Sequence, residues 1–159
     1  MTPRLNYLLS KADPLRTLWD VGCDHGYLGE QALIQGFPFV HFVDPADPVI
    51  QKLKRRLGFH YGNAAYHQLR GQDLANFKIE GSVVMAGFGG DQMREILERW
   101  MQHSLLGDAR LILSPYKDEK KLADWLQTTF GDLISDSFVE RKKTRPVLVC
   151  TTTWEQRQG

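Results

Sequence analysis

The run LWDVGCDHGYLG at residues 18–29 constrains the fold of this chain more than any other stretch. Residues 18–21 form a short, mostly apolar segment, and a turn with glycines at 22, 26 and 29 follows before a helix-compatible segment. A strand that turns through glycines into a helix brings backbone N–H groups and a helix N-terminus close to a ligand. The run therefore predicts a strand-turn-helix unit with a ligand site at the turn.

The charges in this turn indicate the kind of ligand. Its spacing is Asp-x-Gly-x-Asp-x-Gly, with carboxylates at Asp20 and Asp24, which differs from the G-x-G-x-x-G of dinucleotide-binding proteins. Two carboxylates repel a pyrophosphate and attract a cation. The turn therefore favours S-adenosylmethionine, whose amino group and sulfonium are positively charged, over a nicotinamide dinucleotide.

Length and composition set the frame for this site. With 159 residues, the chain is expected to form one domain, 1–159, and its 42% hydrophobic and 25% charged residues are typical of a globular protein. The net charge of +1 gives no strong global field, so a nucleic-acid partner would have to contact a local basic patch.

The same sequence argues against membrane, export and metal chemistry. No apolar run approaches the roughly 20 residues that span a bilayer, and the N-terminus lacks the apolar segment of a signal peptide. The two cysteines, Cys23 and Cys150, make neither a disulfide framework nor a metal site. We therefore expect a cytoplasmic protein with reduced thiols, no bound metal and no membrane contact.

Strands and helices are predicted to alternate along most of the chain. Helices are expected at 4–12, 26–35, 47–57, 91–102 and 118–130, and strands at 17–22, 39–43, 65–69, 82–86, 110–113, 133–140 and 146–153. Asp47 and Asp91 are the expected N-caps of their helices. The last two strands are joined only by the basic turn RKKTR at 141–145, so they must run antiparallel. This order predicts an α/β, Rossmann-like class I methyltransferase fold: a mostly parallel seven-stranded sheet with a C-terminal hairpin and helices on both faces.

Polar or glycine-rich residues follow each strand of the predicted sheet, where such folds bind ligands. Asp44 ends the second strand and can accept both ribose hydroxyls, although it can also simply begin a turn. Gln72 or Asp73 could hold the adenine amino group, and the sequence leaves that choice open. The expected cofactor-binding residues are Asp20, Gly22, Asp24, Gly26, Asp44, Gln72, Asp73, Ala86, Gly87 and Gly89.

Five other residues are candidates for the acceptor side of the site. His25 could act as a general base or only as a solvent-facing hydrogen-bonding group in the turn. Tyr27 and Phe88 could stack on a base or belong to the core, and Tyr116, which follows Ser114 by two residues, could line the acceptor pocket. The candidate catalytic residues are thus His25, Tyr27, Ser114 and Tyr116.

These motifs together resemble the bacterial tRNA (adenine-22-N1)-methyltransferases. DVGCDHGYL at 20–28 is similar to their D-I-G-S-D-H-A-Y-L, and AGFGG at 86–90 to their A-G-M-G-G. RLILSP at 110–115 resembles R-L-I-L-Q-P-N, and LADWL at 122–126 resembles L-R-x-W-L. The resemblance implies S-adenosylmethionine as cofactor and N1 of an adenine in tRNA as acceptor.

The chain departs from that family in ways that keep other functions open. Ser114 and Tyr116 stand where the family has Gln and Asn, and the chain reaches residue 159 without the family's helical C-terminal extension. The alternatives are a methyltransferase acting on a small molecule or protein, and a non-catalytic Rossmann-like domain that binds RNA or a protein partner. The sequence also leaves a homodimer open.

The chemistry expected at adenine N1 needs few titratable groups. N1 is unprotonated at neutral pH and carries an in-plane lone pair, so catalysis would consist mainly of positioning and desolvation. RNA would have to contact basic segments such as residues 52–56 and 141–145, although such runs are usually only solvated faces.

Overall fold

A computed structural model describes residues 2–152 of the chain. The helices are α1 Pro3–Ser10, α2 Tyr27–Gln35, α3 Asp47–Leu57, α4 Gly90–Gln102 and α5 Glu119–Phe130. The strands are β1 Leu18–Val21, β2 Val40–Val43, β3 Ala64–His67, β4 Ile79–Ala86, β5 Leu106–Ser114, β6 Leu133–Glu140 and β7 Lys143–Thr151. A 3₁₀ turn at Gly71–Asp73 joins β3 to β4.

The seven strands form one sheet in the order β3-β2-β1-β4-β5-β7-β6. The first five strands are parallel, and β7 runs antiparallel to both β5 and β6. The chain order reverses between β1 and β4, which are neighbours in the sheet. This topology confirms the Rossmann-like methyltransferase fold and places the crevice of the sheet beside the carboxyl end of β1.

Two apolar layers cover the two faces of the sheet. One layer centres on α4 and α5 and contains Trp100, whose indole donates to the carbonyl of Gly71 at 2.8 Å. The other contains residues of α1, α2 and α3, among them Leu8, Leu33 and Leu53. Each such large apolar side chain stabilises the fold by about 1.5–3 kcal/mol when fully buried. The sheet is thereby held rigid under the loops at its carboxyl edge.

Several boundaries differ from the sequence prediction. The C-terminal turn is not five residues long: it consists of Arg141 and Lys142, both at positive φ (50° and 63°), and β7 already begins at Lys143. This is because a two-residue turn with positive φ matches the twist of a hairpin, so Lys143 can pair with Glu140. Residue 153, assigned to the last predicted strand, lies outside the described residues.

The two predicted N-caps were wrong by one or two residues. Ala46, and not Asp47, precedes α3, and Gly89, and not Asp91, precedes α4. At α3 the Asp44 carboxylate accepts the N–H of Ala46 at 2.9 Å. The Asp91 carboxylate instead lies 3.1 Å from the ammonium of Lys121. Within residues 2–152, no helix is long and apolar enough to cross a membrane.

Candidate active site

The glycine turn after β1 folds against the end of β2. The N–H groups of Gly22 and Cys23 both donate to the carbonyl of Val43, at 2.8 and 3.0 Å. Gly22 has a φ of +70°, and a Cβ there would lie 2.9 Å from the ring of Phe88. A side chain at position 22 would therefore be strained in conformation and would collide with the loop after β4. The turn needs its first glycine to bring the three strand ends together.

A cavity of about 550 Å³ opens at the carboxyl ends of β1, β2 and β4. Its size lies within the range of small-molecule sites. Nine of the sequence-predicted site residues line it: Asp20, Gly22, Asp24, His25, Gly26, Tyr27, Asp44, Ala86 and Gly87. The structure therefore brings most of the predicted strand-end residues into one concave site.

Asp20 is the buried carboxylate of this cavity. Only 6% of the residue is exposed, and its Oδ2 accepts the N–H of Gly29 at 3.1 Å. Burial raises the pKa of Asp20 to about 7, the Gly29 hydrogen bond opposes this shift, and the nearby Asp44 and Asp24 carboxylates add to it. An ionised Asp20 therefore lacks a counter-charge, which a cationic ligand would supply.

Asp44 is held in a fixed orientation by two backbone donors. Its Oδ2 accepts the N–H of Asp24 at 3.1 Å, and its Oδ1 accepts the N–H of Ala46 at 2.9 Å. Asp24 adopts a φ of +50°, a left-handed conformation that non-glycine residues rarely take. Because each carboxylate oxygen has further acceptor capacity, Asp44 can still accept hydroxyl groups from a ligand.

His25 and Tyr27 lie at the rim of the cavity. The His25 side chain is 68% exposed, and its ring stacks on that of Tyr27 with centroids 5.4 Å apart. Arg56 of α3 holds this rim: its Nη2 donates to the His25 carbonyl at 2.8 Å and to Glu30 Oε2 at 3.0 Å. Sequence reasoning placed Arg56 only on a solvated basic face and missed this contact.

Some residues of the glycine-rich loop after β4 line the cavity, and others do not. Gly87 lines the cavity, and a Cβ added there meets no atom within 4 Å, although its φ of +90° favours glycine. Phe88 also lines the cavity. Gly89 does not, and a Cβ there would lie 2.9 Å from the side chain of Lys117. Of the three glycines in this loop, Gly87 is therefore the one that lines the cavity.

Four further predicted residues are absent from the cavity lining. Gln72 is buried, and Asp73 forms an ion pair with Arg70 at 2.9 Å. Ser114 is 1% exposed and its hydroxyl donates to the carbonyl of Pro146 at 2.8 Å. Tyr116 is 56% exposed, and its N–H donates to the Phe88 carbonyl at 3.3 Å.

Ser114 and Tyr116 therefore lie outside the lining of this cavity, and their place in an acceptor pocket stays a prediction. The reason is the hairpin: β7 pairs with β5, so a carbonyl of β7 takes up the Ser114 hydroxyl. The 3₁₀ turn likewise directs Asp73 to Arg70.

Among the lining residues that the sequence did not predict, three are polar or charged: Thr2, Arg4 and Glu140. They come from the first turn of α1 and the end of β6, more than 130 residues apart in sequence. Neither position belongs to a motif, so no local signal could have found them. Among the described residues, no three His, Cys, Asp or Glu side chains are arranged to hold a metal ion.

Comparisons with known proteins agree with this geometry. A family model described as a methyltransferase domain matches residues 1–146. The B. subtilis M1A22 tRNA methyltransferase TrmK has a TM-score of 0.80 at 22% identity, over 98% of this chain and 68% of that one. M. capricolum TrmK, solved with S-adenosyl-homocysteine, has a TM-score of 0.77 at 18% identity, over 96% and 69% of the two chains.

A third solved structure, Sp1610 of Streptococcus pneumoniae, has a TM-score of 0.82 at 22% identity and covers 96% of this chain and 71% of its own. No curated protein sequence matches the chain. At such identities the structural similarity establishes the fold, whereas the family model extends over most of the chain. The chain belongs to the methyltransferase-domain family.

Proposed function

We propose that this protein is an S-adenosylmethionine-dependent methyltransferase that modifies N1 of an adenine in tRNA. The observation that carries the proposal is the convergence of Asp20, Asp24 and Asp44 on one cavity of a methyltransferase domain. Three carboxylates around a cavity suit a ligand with positive charge. The similarity to the B. subtilis M1A22 tRNA methyltransferase TrmK supports tRNA as the acceptor.

The cavity residues fit this cofactor in charge and hydrogen bonding. Asp44 is oriented by two backbone N–H donors and would accept the ribose hydroxyls, while Asp20 would face the amino group. Gly22 and Gly87 let the ligand approach the backbone. When bound, S-adenosylmethionine supplies an electrophilic methyl group on a sulfonium. Gln72 and Asp73, in the turn after β3, remain the candidates for the adenine amino group.

The acceptor base needs positioning more than proton transfer. Adenine N1 attacks through a free lone pair, so the site requires no strong base, which accords with the exposed position of His25. Tyr27, 48% exposed at the rim, and Phe88 in the lining are the aromatic surfaces on which a base could stack. A base in folded RNA would have to leave its stack to reach them.

Basic residues adjoin the cavity on two sides. Arg56 holds the rim through His25, and α3 also carries Lys52, Lys54 and Arg55. On the other side, Glu140 of the lining is followed at once by Arg141 and Lys142 of the hairpin turn. These cations could contact phosphates of an RNA whose base enters the cavity.

A methyl-transfer assay tests the proposal. Purified protein would be incubated with S-adenosylmethionine carrying a tritiated methyl group and with unmodified tRNA transcripts, and modified positions mapped by reverse-transcription stops. We expect label in tRNA and a stop at a single adenine, because a methyl on N1 blocks base pairing. Label in no RNA, from a protein that binds the cofactor, would contradict tRNA as acceptor.

The alternative acceptor, a small molecule or protein, is favoured by the net charge of only +1. Charge reversal of Arg141 and Lys142, which form the exposed hairpin turn, distinguishes an RNA acceptor from a small molecule or protein. If RNA is the substrate, we expect the KM for tRNA to rise about tenfold or more, with unchanged affinity for the cofactor. Methylation of tRNA at the original KM would weigh against docking on this face.

A further inference from the structure

Arg4 is a partly buried cation in the cavity wall whose donors are incompletely used. Its Nη2 makes one long contact, 3.4 Å, to the carbonyl of Ser114. Its Nε is buried and has no hydrogen-bond partner among residues 2–152. A guanidinium has five N–H donors, and a buried donor that stays unpaired destabilises the folded protein. Such a group in a cavity wall can donate hydrogen bonds to an acceptor on a ligand.

The position of Arg4 is set by contacts between α1 and the C-terminal hairpin. Thr2 caps α1 by accepting the N–H of Leu5 at 3.2 Å. One turn later, the hydroxyl of Tyr7 donates to Asp136 of β6, and the Tyr7 ring stacks on Phe138 at 5.3 Å. The first turn of α1 is thereby fixed beside the cavity and beside Glu140, which also lines it.

Acidic side chains outnumber basic ones in the cavity lining. The acids are Asp20, Asp24, Asp44 and Glu140, whereas Arg4 is the one lysine or arginine in the described lining. Burial lowers the pKa of the Arg4 guanidinium, Glu140 opposes that shift and Arg145 adds to it. Burial of the charged Arg4 side chain therefore costs solvation free energy.

The proposed cofactor carries a charge for which the three aspartates offer no partner. S-adenosylmethionine is cationic at its sulfonium and amino group, but its amino-acid end also bears a carboxylate. That carboxylate would be repelled by Asp20, Asp24 and Asp44 and requires a cation or N–H donors. Arg–carboxylate contacts are charge-assisted and can be bidentate, and Arg4 retains free donors for them.

We propose that Arg4 binds the carboxylate of the cofactor's amino-acid end, so that α1 and the β6–β7 hairpin complete the cofactor site. Asp20 and Arg4 then form a complementary pair for the amino group and the carboxylate of one zwitterion. This inference rests on the proposed cofactor and on nothing about the acceptor.

A calorimetric comparison of two ligands tests it. S-adenosylhomocysteine has the amino-acid end, and 5′-methylthioadenosine shares its thioether and nucleoside but lacks that end. For Arg4→Gln we expect affinity for S-adenosylhomocysteine to fall about 100-fold, as charge-assisted hydrogen bonds to the carboxylate are lost. Affinity for 5′-methylthioadenosine should stay within about twofold of the unaltered protein, which also shows that the variant is folded.

The matched control is Arg94→Gln, which removes an exposed arginine whose carboxylate partner, Glu98, lies on the same helix, α4. It should leave both affinities unchanged. If Arg4→Gln binds S-adenosylhomocysteine as tightly as the unaltered protein does, or loses both ligands equally, the assignment of Arg4 is wrong. If the unaltered protein binds neither ligand, the proposed cofactor itself fails and the Arg4 inference with it.

Discussion

At the scale of single residues, the chemistry of the site centres on Asp20. A strand-interior carboxylate that is 6% exposed carries an ionisation cost, and burial raises its pKa to about 7. The Gly29 N–H at 3.1 Å offsets part of that cost. Since the Asp24 and Asp44 charges add to the shift, a cationic ligand would relieve all three.

Cofactor affinity should therefore depend on pH through Asp20. A bound amino group favours the ionised carboxylate, so binding below pH 7 must release a proton. We expect affinity for S-adenosylhomocysteine to increase up to tenfold per pH unit below about 7 and to level off above it. Titration calorimetry between pH 5.5 and 8.5 measures this dependence. In Asp20→Asn the dependence should vanish, and an unchanged slope in that variant would exclude Asp20 as its source.

The same pKa shift means that the ionised form of Asp20 destabilises the folded state. Its folded pKa, about 7, exceeds the ordinary value of 3.8, so between these pH values the folded state binds more protons and stability falls as pH rises. Asp20→Asn should be more stable than the unaltered protein at pH 8, by up to about 4 kcal/mol, and close to it at pH 4. Urea unfolding at both pH values would measure the difference. A less stable variant at pH 8 would contradict a costly buried carboxylate.

At the scale of elements, the site is assembled from four parts of the chain: the turn after β1, the segment from the end of β2 into α3, the loop after β4, and the junction of α1 with the hairpin. The first three follow strand ends that the sequence predicts. The fourth depends on long-range contacts, such as those of Tyr7 with Asp136 and Phe138. Removing such a contact should affect both stability and the position of Arg4.

Tyr7→Phe isolates the hydrogen bond of this junction. The substitution keeps the ring that stacks on Phe138 at 5.3 Å and removes the hydroxyl that donates to Asp136. We expect the free energy of unfolding, measured in urea, to fall by about 1 kcal/mol. The ionised partner strengthens this hydrogen bond, whereas its exposure to solvent weakens it. Affinity for 5′-methylthioadenosine should be unchanged. A stability equal to that of the unaltered protein would mean that α1 is held by its apolar contacts alone.

Site residues could be predicted from the sequence where they belong to a turn or loop that directly follows a strand. The glycine turn, Asp44 at the end of β2 and Gly87 after β4 were predictable because strand ends meet at one edge of a parallel sheet. Arg4 and Glu140 were not, since only the folded hairpin brings them together. The hydrogen bond of the Ser114 hydroxyl to the Pro146 carbonyl was not predictable either, because it depends on the pairing of β5 with β7.

At the scale of the whole molecule, the sheet also carries half-buried polar groups on its β2–β3 side. His41 stacks on Trp19 at 3.7 Å, and its Nδ1 lies 2.9 Å from Nε2 of His67. Burial, and then the neighbouring His67, lowers the pKa of His41 to about 4. Phe77 packs edge-on against both imidazoles. The pair is thus a half-buried, neutral unit that joins β2 to β3 and lies outside the lining of the carboxylate cavity.

This unit should make the fold sensitive to acid. The folded pKa of His41, about 4, lies below the ordinary 6.5, so the unfolded chain binds more protons in this range and stability is lost as pH falls from 6.5 towards 4. Asp20 acts in the opposite direction over the same range. In an Asp20→Asn background, His41→Phe should reduce the loss of stability between pH 7 and 5 by roughly 1 kcal/mol after solvent screening. Urea midpoints at both pH values would test this, and an unchanged loss would exclude His41.

The measurement that bears most directly on the function is calorimetric titration of the protein with S-adenosylhomocysteine, alongside Asp44→Ala and the control Asp47→Asn. Asp47 is a nearby exposed acid that contacts Gln51 of its own helix and lies outside the cavity lining. We expect micromolar binding, about 8 kcal/mol, in the unaltered protein and in Asp47→Asn.

Asp44→Ala should bind about 100-fold more weakly, because two hydrogen bonds from ribose hydroxyls to an ionised acceptor are lost. Equal affinity in Asp44→Ala would show that the strand-end carboxylate does not hold the ribose. No binding by the unaltered protein would contradict a methyltransferase cofactor site in this cavity.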